Sequence, residues 1–231
     1  MPERPGPAAA PTLAEDLLLL LFQPGSGTFA GENTLFYVLA GGVLADLALG
    51  GHVRTTRSPG GNVRVGAVEG REPSDPVLRS AWASVTGKPR GVQTVLAAIG
   101  PQLRGPLLEN VVARGDIRRE TRKILGFFAR TALVDGGTSR RAELAAGVRA
   151  VLVDGAEPTP RVAALVGLLA GSGTLPQLHP EIPWTTPVIT RAHDLEVGSW
   201  GAQAAGEAVA RTVTATIVNS TTYALTLLPR G

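Results

Sequence analysis

The residues with the most evident chemistry lie between Ile117 and Val134, in the stretch IRRETRKILGFFARTALV. Arg118, Arg119, Arg122, Lys123 and Arg130 stand there against a single acid, Glu120, a net +4 in a chain whose total is only +3. Between the basic flanks come Ile124, Leu125, Phe127 and Phe128, with Gly126 where a turn would fall. The Ile, Thr, Phe and Val around that glycine favour extended backbone, so the stretch reads as a β-hairpin with an apolar tip and a basic stem. Such a tip can enter the headgroup boundary of a bilayer while the arginines meet anionic lipid, each contributing about 1 kcal/mol. The same pattern also suits a tip packed on the protein's own core or on a second copy, with a solvated basic flank.

Residue types that would carry catalysis are poorly placed. His52, His179 and His193 share no helical turn, and no acidic pair stands beside any of them at ligand spacing, which argues against a metal site. With no cysteine there is no thiolate ligand, disulfide or Cys nucleophile. Gly25-Ser26-Gly27 lacks the outer glycines of a nucleophile elbow, and Gly171-Ser172-Gly173 follows a helix rather than a strand. The Gly25, Gly27, Gly31 spacing brushes a dinucleotide fingerprint without a βαβ unit around it. The expectation is a protein that is not an enzyme and uses no cofactor.

The elements that must position the hairpin are mostly helical. Thr12 and Glu15 form a capping box for LAEDLLLLLF, whose Glu15 and Asp16 suit a first helical turn. Asn33 or Thr34 opens LFYVLAGGVLADLALGG, apolar nearly all round and so central. Ser58-Pro-Gly-Gly61 joins two short strands, and Asp75-Pro76 opens a helix to about Val85 that places Trp82 in the core. Val92–Ile99 is helical, Gly105-Pro106 breaks the chain, and a helix resumes over Leu107–Arg114. Helices follow the hairpin from Ser139 or Arg140 to Leu152 and from Thr159-Pro160 to about Ala170. Residues 176–190, with four prolines, read as a loop around Trp184. His193–Ala210 reads as a helix, and Thr212–Asn219 as its continuation or a strand. The fold class is mainly α: a loose arm over 1–11, then one helical domain over 12–231, with a buried hydrophobic helix core, amphipathic outer helices and two small β-hairpins. No apolar run approaches the ~18 residues of a membrane helix, and the first residues hold no signal core, so a cytoplasmic location is expected.

The order LAEDLLLLL, VLAGGVLADLALGGHV, a basic hairpin after ENVVARGDI, then PRVAALVGLLAGSGTL resembles the Golgi phosphoprotein 3 family, and its bacterial members in particular, over Thr12–Asn219. The resemblance implies an all-helical core without enzymatic activity. Eukaryotic members are peripheral adaptors that bind phosphatidylinositol 4-phosphate and hold glycosyltransferases through their cytoplasmic tails. A protruding hydrophobic hairpin inserts into the bilayer or mediates self-association, and Ile117–Val134 corresponds to it. Anionic phospholipid or phosphoinositide membrane, protein tails and a homo-oligomer are thus the implied partners.

The family's headgroup pocket transfers less well. Its tryptophan position falls at Gly31, its first arginine at Ala40, and its two arginines three residues apart at Pro101 and Arg104. A phosphomonoester near −2 calls for two or more charge-assisted donors, so Arg104 needs a neighbour such as Arg90 or Arg114. The expectation is weak specificity for the 4-phosphate with general attraction to anionic membrane. Two alternatives remain. In one, a nucleic-acid-binding helical domain uses Arg54, Arg57 and Arg64 as a wing, although the chain lacks a polar, basic recognition helix. The other is an oligomeric scaffold joined through the hairpin tip.

Overall fold

The computed structural model describes residues 10–58, 62–124, 128–197 and 212–217, with only the backbone for 122–124 and 128–130. Helix α1 (Leu13–Leu21) begins as its capping box dictates. The Glu15 amide donates to Thr12 Oγ1 at 3.2 Å and the Thr12 amide to Glu15 Oε2 at 2.7 Å. All nine of its residues are buried. A tight connection, β1 (Phe22–Gln23) to β2 (Thr28–Phe29), pairs Phe22 with Phe29 and was not legible in the Gln-Pro-Gly-Ser-Gly run.

Helix α2 (Leu35–Leu49) is buried along most of its length and packs on α1. A Cβ at Gly42 would meet Ala14 Cα at 2.9 Å, so glycine there lets the two backbones approach. Helix α7 (Pro160–Gly171), capped by Thr159, lies against α2 on another side. The leucines of these helices form the core, each contributing roughly 1.5–3 kcal/mol on burial.

Outside this core, β3 (Val53–Arg57), β4 (Val63–Ala67) and β5 (Arg90–Gly91) form a small antiparallel sheet. Helix α3 (Pro76–Ala83) starts at Asp75, whose Oδ1 accepts from the Val77 and Leu78 amides at 2.9 Å. Trp82 is half-buried rather than fully in the core, its Nε1 donating to the His52 carbonyl at 2.9 Å. Helix α4 (Val92–Ile99) leads through a 3₁₀ turn, Gly100–Gln102, into α5 (Arg104–Ala113), and then come β6 (Ile117–Ile124) and β7 (Phe128–Asp135). Helix α6 (Arg140–Leu152) precedes α7 in the chain, and α8 (Thr186–Glu196) packs on α6 and α7.

Three expectations about the proline-containing stretches are corrected. Helix α5 begins at Arg104, before Gly105-Pro106. Pro106 is its third residue, where a missing N–H costs no intrahelical bond. The 176–190 stretch is not one loop, because Pro176 opens a 3₁₀ turn (Leu175–Leu178) and Pro187 lies in the first turn of α8. Helix α8 therefore starts at Thr186 rather than His193, and the expected reach to Ala210 lies largely outside the described residues. Residues 212–217 are helical. Thr216 Oγ1 donates to the Thr212 carbonyl at 2.6 Å, and Val213 and Ile217 are buried one turn apart.

Candidate membrane-facing site

The basic hairpin is a regular antiparallel pair, with Ile117 opposite Asp135, Arg119 opposite Leu133, Arg122 opposite Arg130 and Ile124 opposite Phe128. Its root is fixed by residues that could hardly be otherwise. A Cβ at Gly136 would lie 1.6 Å from the Gly115 carbonyl oxygen, so only glycine lets the second strand return past the first. Ile117 is fully buried, and the Gly136 amide donates to the Asp116 carbonyl at 2.9 Å. Along the stem Arg118, Arg119, Glu120, Thr121 and Thr131 are exposed. Arg118 Nε and Nη2 reach the Asp135 carbonyl at 3.4 Å, and among the described residues no carboxylate lies within ion-pair distance of the guanidinium. Arg119 instead forms a two-point pair with Glu109 of α5 (Nη1 to Oε2, 2.9 Å). The Arg119 hydrogen bond holds the Glu109 carboxyl below its usual range, and Glu109 in turn raises Arg119. Leu125 and Phe127, expected at the tip, lie outside the described residues. For Arg122, Lys123, Ile124, Phe128 and Arg130 the structure gives strand position and register.

At the hairpin's base begins a set of ion pairs whose carboxylates are largely buried. Asp116, just before β6, accepts from Arg140 Nη1 and from Thr138 Oγ1, both at 2.6 Å. The other arm of Arg140 reaches Asp16 in α1. Asp16 also accepts from Arg161 Nε at 3.1 Å, and Arg161 Nη1 donates to Asp46 at 3.0 Å. Arg161 Nη2 reaches the Pro11 carbonyl at 2.8 Å, while Asp46 accepts from the Leu13 amide. Burial works to lower Arg140, but Asp16 and Asp116 together hold it above its ordinary value. Burial pushes the Asp46 carboxyl up to about 6, despite the opposing charge of Arg161. Glu15, fully buried, pairs with Arg114 at 3.0 Å. Helix capping engages Glu15 as expected, but capping and dipole are not the whole account: both acids are also interior anions with arginine partners from distant parts of the chain. The signal was present, since the five consecutive leucines that follow the two acids bury every face of the helix and leave the acids no water to face.

A third cluster surrounds Arg104. The side chain is half exposed, its Nη1 2.6 Å from Glu32 Oε1 and its guanidinium carbon 5.4 Å from the centre of the Phe29 ring.

The family model described as Golgi phosphoprotein 3 (GPP34) matches residues 13–212. The chain belongs to the Golgi phosphoprotein 3 family. No curated protein matches it. The matched span runs from the first residue of α1 through the hairpin and α8 to Thr212.

Of the four positions that the resemblance gives for a headgroup pocket, only Arg104 carries a basic side chain. Gly31 adopts φ +66°, and a Cβ there would lie 2.5 Å from Thr174 Cγ2. Thr174 is itself buried and bonded to Ser172 and the Leu169 carbonyl, so a tryptophan has neither the backbone nor the space. Ala40 is fully buried in α2, whereas Pro101 is exposed in the 3₁₀ turn. Of the arginines expected to help Arg104, Arg90 is exposed on β5 opposite Val65, and Arg114 turns inward to Glu15. Arg104 keeps its charge at the surface with Glu32 beside it. Among the described residues no helix is long and apolar enough to cross a membrane.

Proposed function

We propose that this family member is a non-enzymatic peripheral membrane protein that binds anionic lipid surfaces through the β6–β7 hairpin, without a pocket dedicated to the 4-phosphate. The observation that carries the reading is the hairpin's construction. Its base is buried and clamped by Asp116 and Arg140, while Arg118 and the facing register positions Arg122 and Arg130 concentrate positive charge farther out. Like charges at opposed positions of an antiparallel pair weaken it, and an anionic surface removes that cost. Ile124, Leu125, Phe127 and Phe128 supply the apolar end that such a stem would deliver to the headgroup boundary. Weak headgroup selectivity is supported by the Arg104 corner, where Glu32 already occupies the guanidinium and Gly31 excludes a tryptophan.

Flotation with phosphatidylglycerol-containing vesicles tests the insertion, comparing the native chain with Phe127→Asp/Phe128→Asp. The native chain is expected to float and the variant to stay in the dense fraction; equal flotation removes the insertion claim. Light scattering of the same pair separates a second use of the tip, because an assembly held by it would dissociate in the variant.

A further inference from the structure

A cleft of about 680 Å³ opens between the β3–β4 sheet and the turn that follows α3, lined by none of the residues assigned above to membrane contact. Its walls come from three elements. Arg54 of β3 is exposed, standing opposite Gly66 of β4. Lys88 is exposed on the turn. Trp82 of α3 is held in place by its indole N–H bond to the His52 carbonyl at 2.9 Å. The turn itself is fastened to the sheet: the Ala67 amide donates to the Val85 carbonyl at 3.1 Å. A Cβ at Gly66 would meet Pro89 Cγ at 3.0 Å, so glycine lets Pro89 close against the strand. The walls are thus fastened to one another, and the two cations come from separate elements.

Arg104, Arg114, Arg119, Arg140 and Arg161 each have a carboxylate partner. Among the described residues neither Arg54 nor Lys88 has one, although Glu69 also lines the cleft and leaves it a net positive charge. Two available cations beside an indole and a proline make a chemically mixed site, polar at the rim and apolar within. Its volume falls in the range of small-molecule pockets, about 300–1,000 Å³. Guanidinium and ammonium together suit a phosphate or carboxylate, and the indole suits a flat ring.

We propose that this cleft binds a small soluble anion consisting of a planar ring system with a phosphate or carboxylate, the anionic group going to Arg54 and Lys88 and the ring to Trp82. This site is independent of the hairpin. Calorimetric titration of the full chain with adenosine 5′-monophosphate and with 2-naphthoate tests it, with uncharged adenosine as the comparison. Saturable binding of at least one of the two anions, stronger than adenosine, is expected. Arg54→Ala/Lys88→Ala should weaken it at least tenfold with an unchanged unfolding temperature, whereas Arg57→Ala on the same strand should leave it unaltered. Failure of both anions to bind, or equal binding by the double variant, overturns the proposal. So does an equal loss in Arg57→Ala, which would indicate diffuse attraction of polyanions. Vesicle flotation of the double variant should match the native chain; its loss would assign the two cations to lipid and likewise overturn the proposal.

Discussion

At the scale of single residues, Asp46 has the most informative environment. Burial is the largest influence on it and outweighs Arg161 and the Leu13 amide, so its carboxyl titrates near 6 rather than 3.8. The folded chain then takes up this proton more readily than the unfolded one. Its contribution to stability is most favourable below about pH 4 and falls as the pH rises through about 6, an effect on the order of 3 kcal/mol. Asp46→Asn keeps an acceptor for the Leu13 amide and leaves Arg161 paired with Asp16. Urea unfolding should show the native chain losing stability relative to this variant between pH 4 and 7; parallel profiles would contradict the assignment. Arg104 is a contrasting case. Its pair with Glu32 is half exposed on both sides, so Arg104→Ala should change stability by less than about 1 kcal/mol. The same variant should bind phosphatidylinositol 4-phosphate vesicles and charge-matched phosphatidylglycerol vesicles as the native chain does. A selective loss on the former would restore the headgroup role that the corner's geometry argues against.

Among the elements, the hairpin depends on what lies under it. Arg140 joins Asp116 at the start of β6 to Asp16 in α1, so the strand pair is tied to the most buried helix of the fold. Arg140→Ala leaves Asp116 without its arginine in an interior where it is only 5% exposed, which should cost about 3–5 kcal/mol. Hydrogen exchange of the variant should show faster exchange of the Ile117 and Gly136 amides than of the α2 amides; uniform acceleration would mean the pair stabilises the whole fold without a special hold on the hairpin. Much at this scale was legible in the sequence, because it is local. Thr12, Asp75 and Thr159 each accept from an amide two or three residues on, and short-range patterns reveal such caps. The hairpin was legible for the same reason. Prolines misled where position within a helix decides their effect, as at Pro106 and Pro187. The ion pairs were not legible, since their partners lie 24 to 145 residues apart and only the packing of separate helices, α1, α2, α6 and α7 among them, brings them together. The Arg104 corner was half legible: Arg104 was singled out, but Glu32 and Phe29 reach it only through the β1–β2 connection.

Over the whole molecule, the interior acids absorb several arginines that a count of basic residues would assign to the surface. Glu15, Asp16, Asp46 and Asp116 engage Arg114, Arg140 and Arg161, so the +3 total says little about where free positive charge lies. Arg118, Arg122, Lys123 and Arg130 follow one another along the hairpin strands, and this is the basis for reading the fold as a platform that presents one basic, apolar-tipped projection to a membrane. The most direct measurement is the partition of the native chain and of Arg118→Gln/Arg122→Gln onto vesicles of rising phosphatidylglycerol content at fixed ionic strength. Two arginines at about 1 kcal/mol each correspond to a roughly thirtyfold weaker partition in the variant on strongly anionic vesicles, with neither protein retained on neutral ones. Equal partition of both proteins, or binding of the native chain that does not depend on lipid charge, would contradict the account.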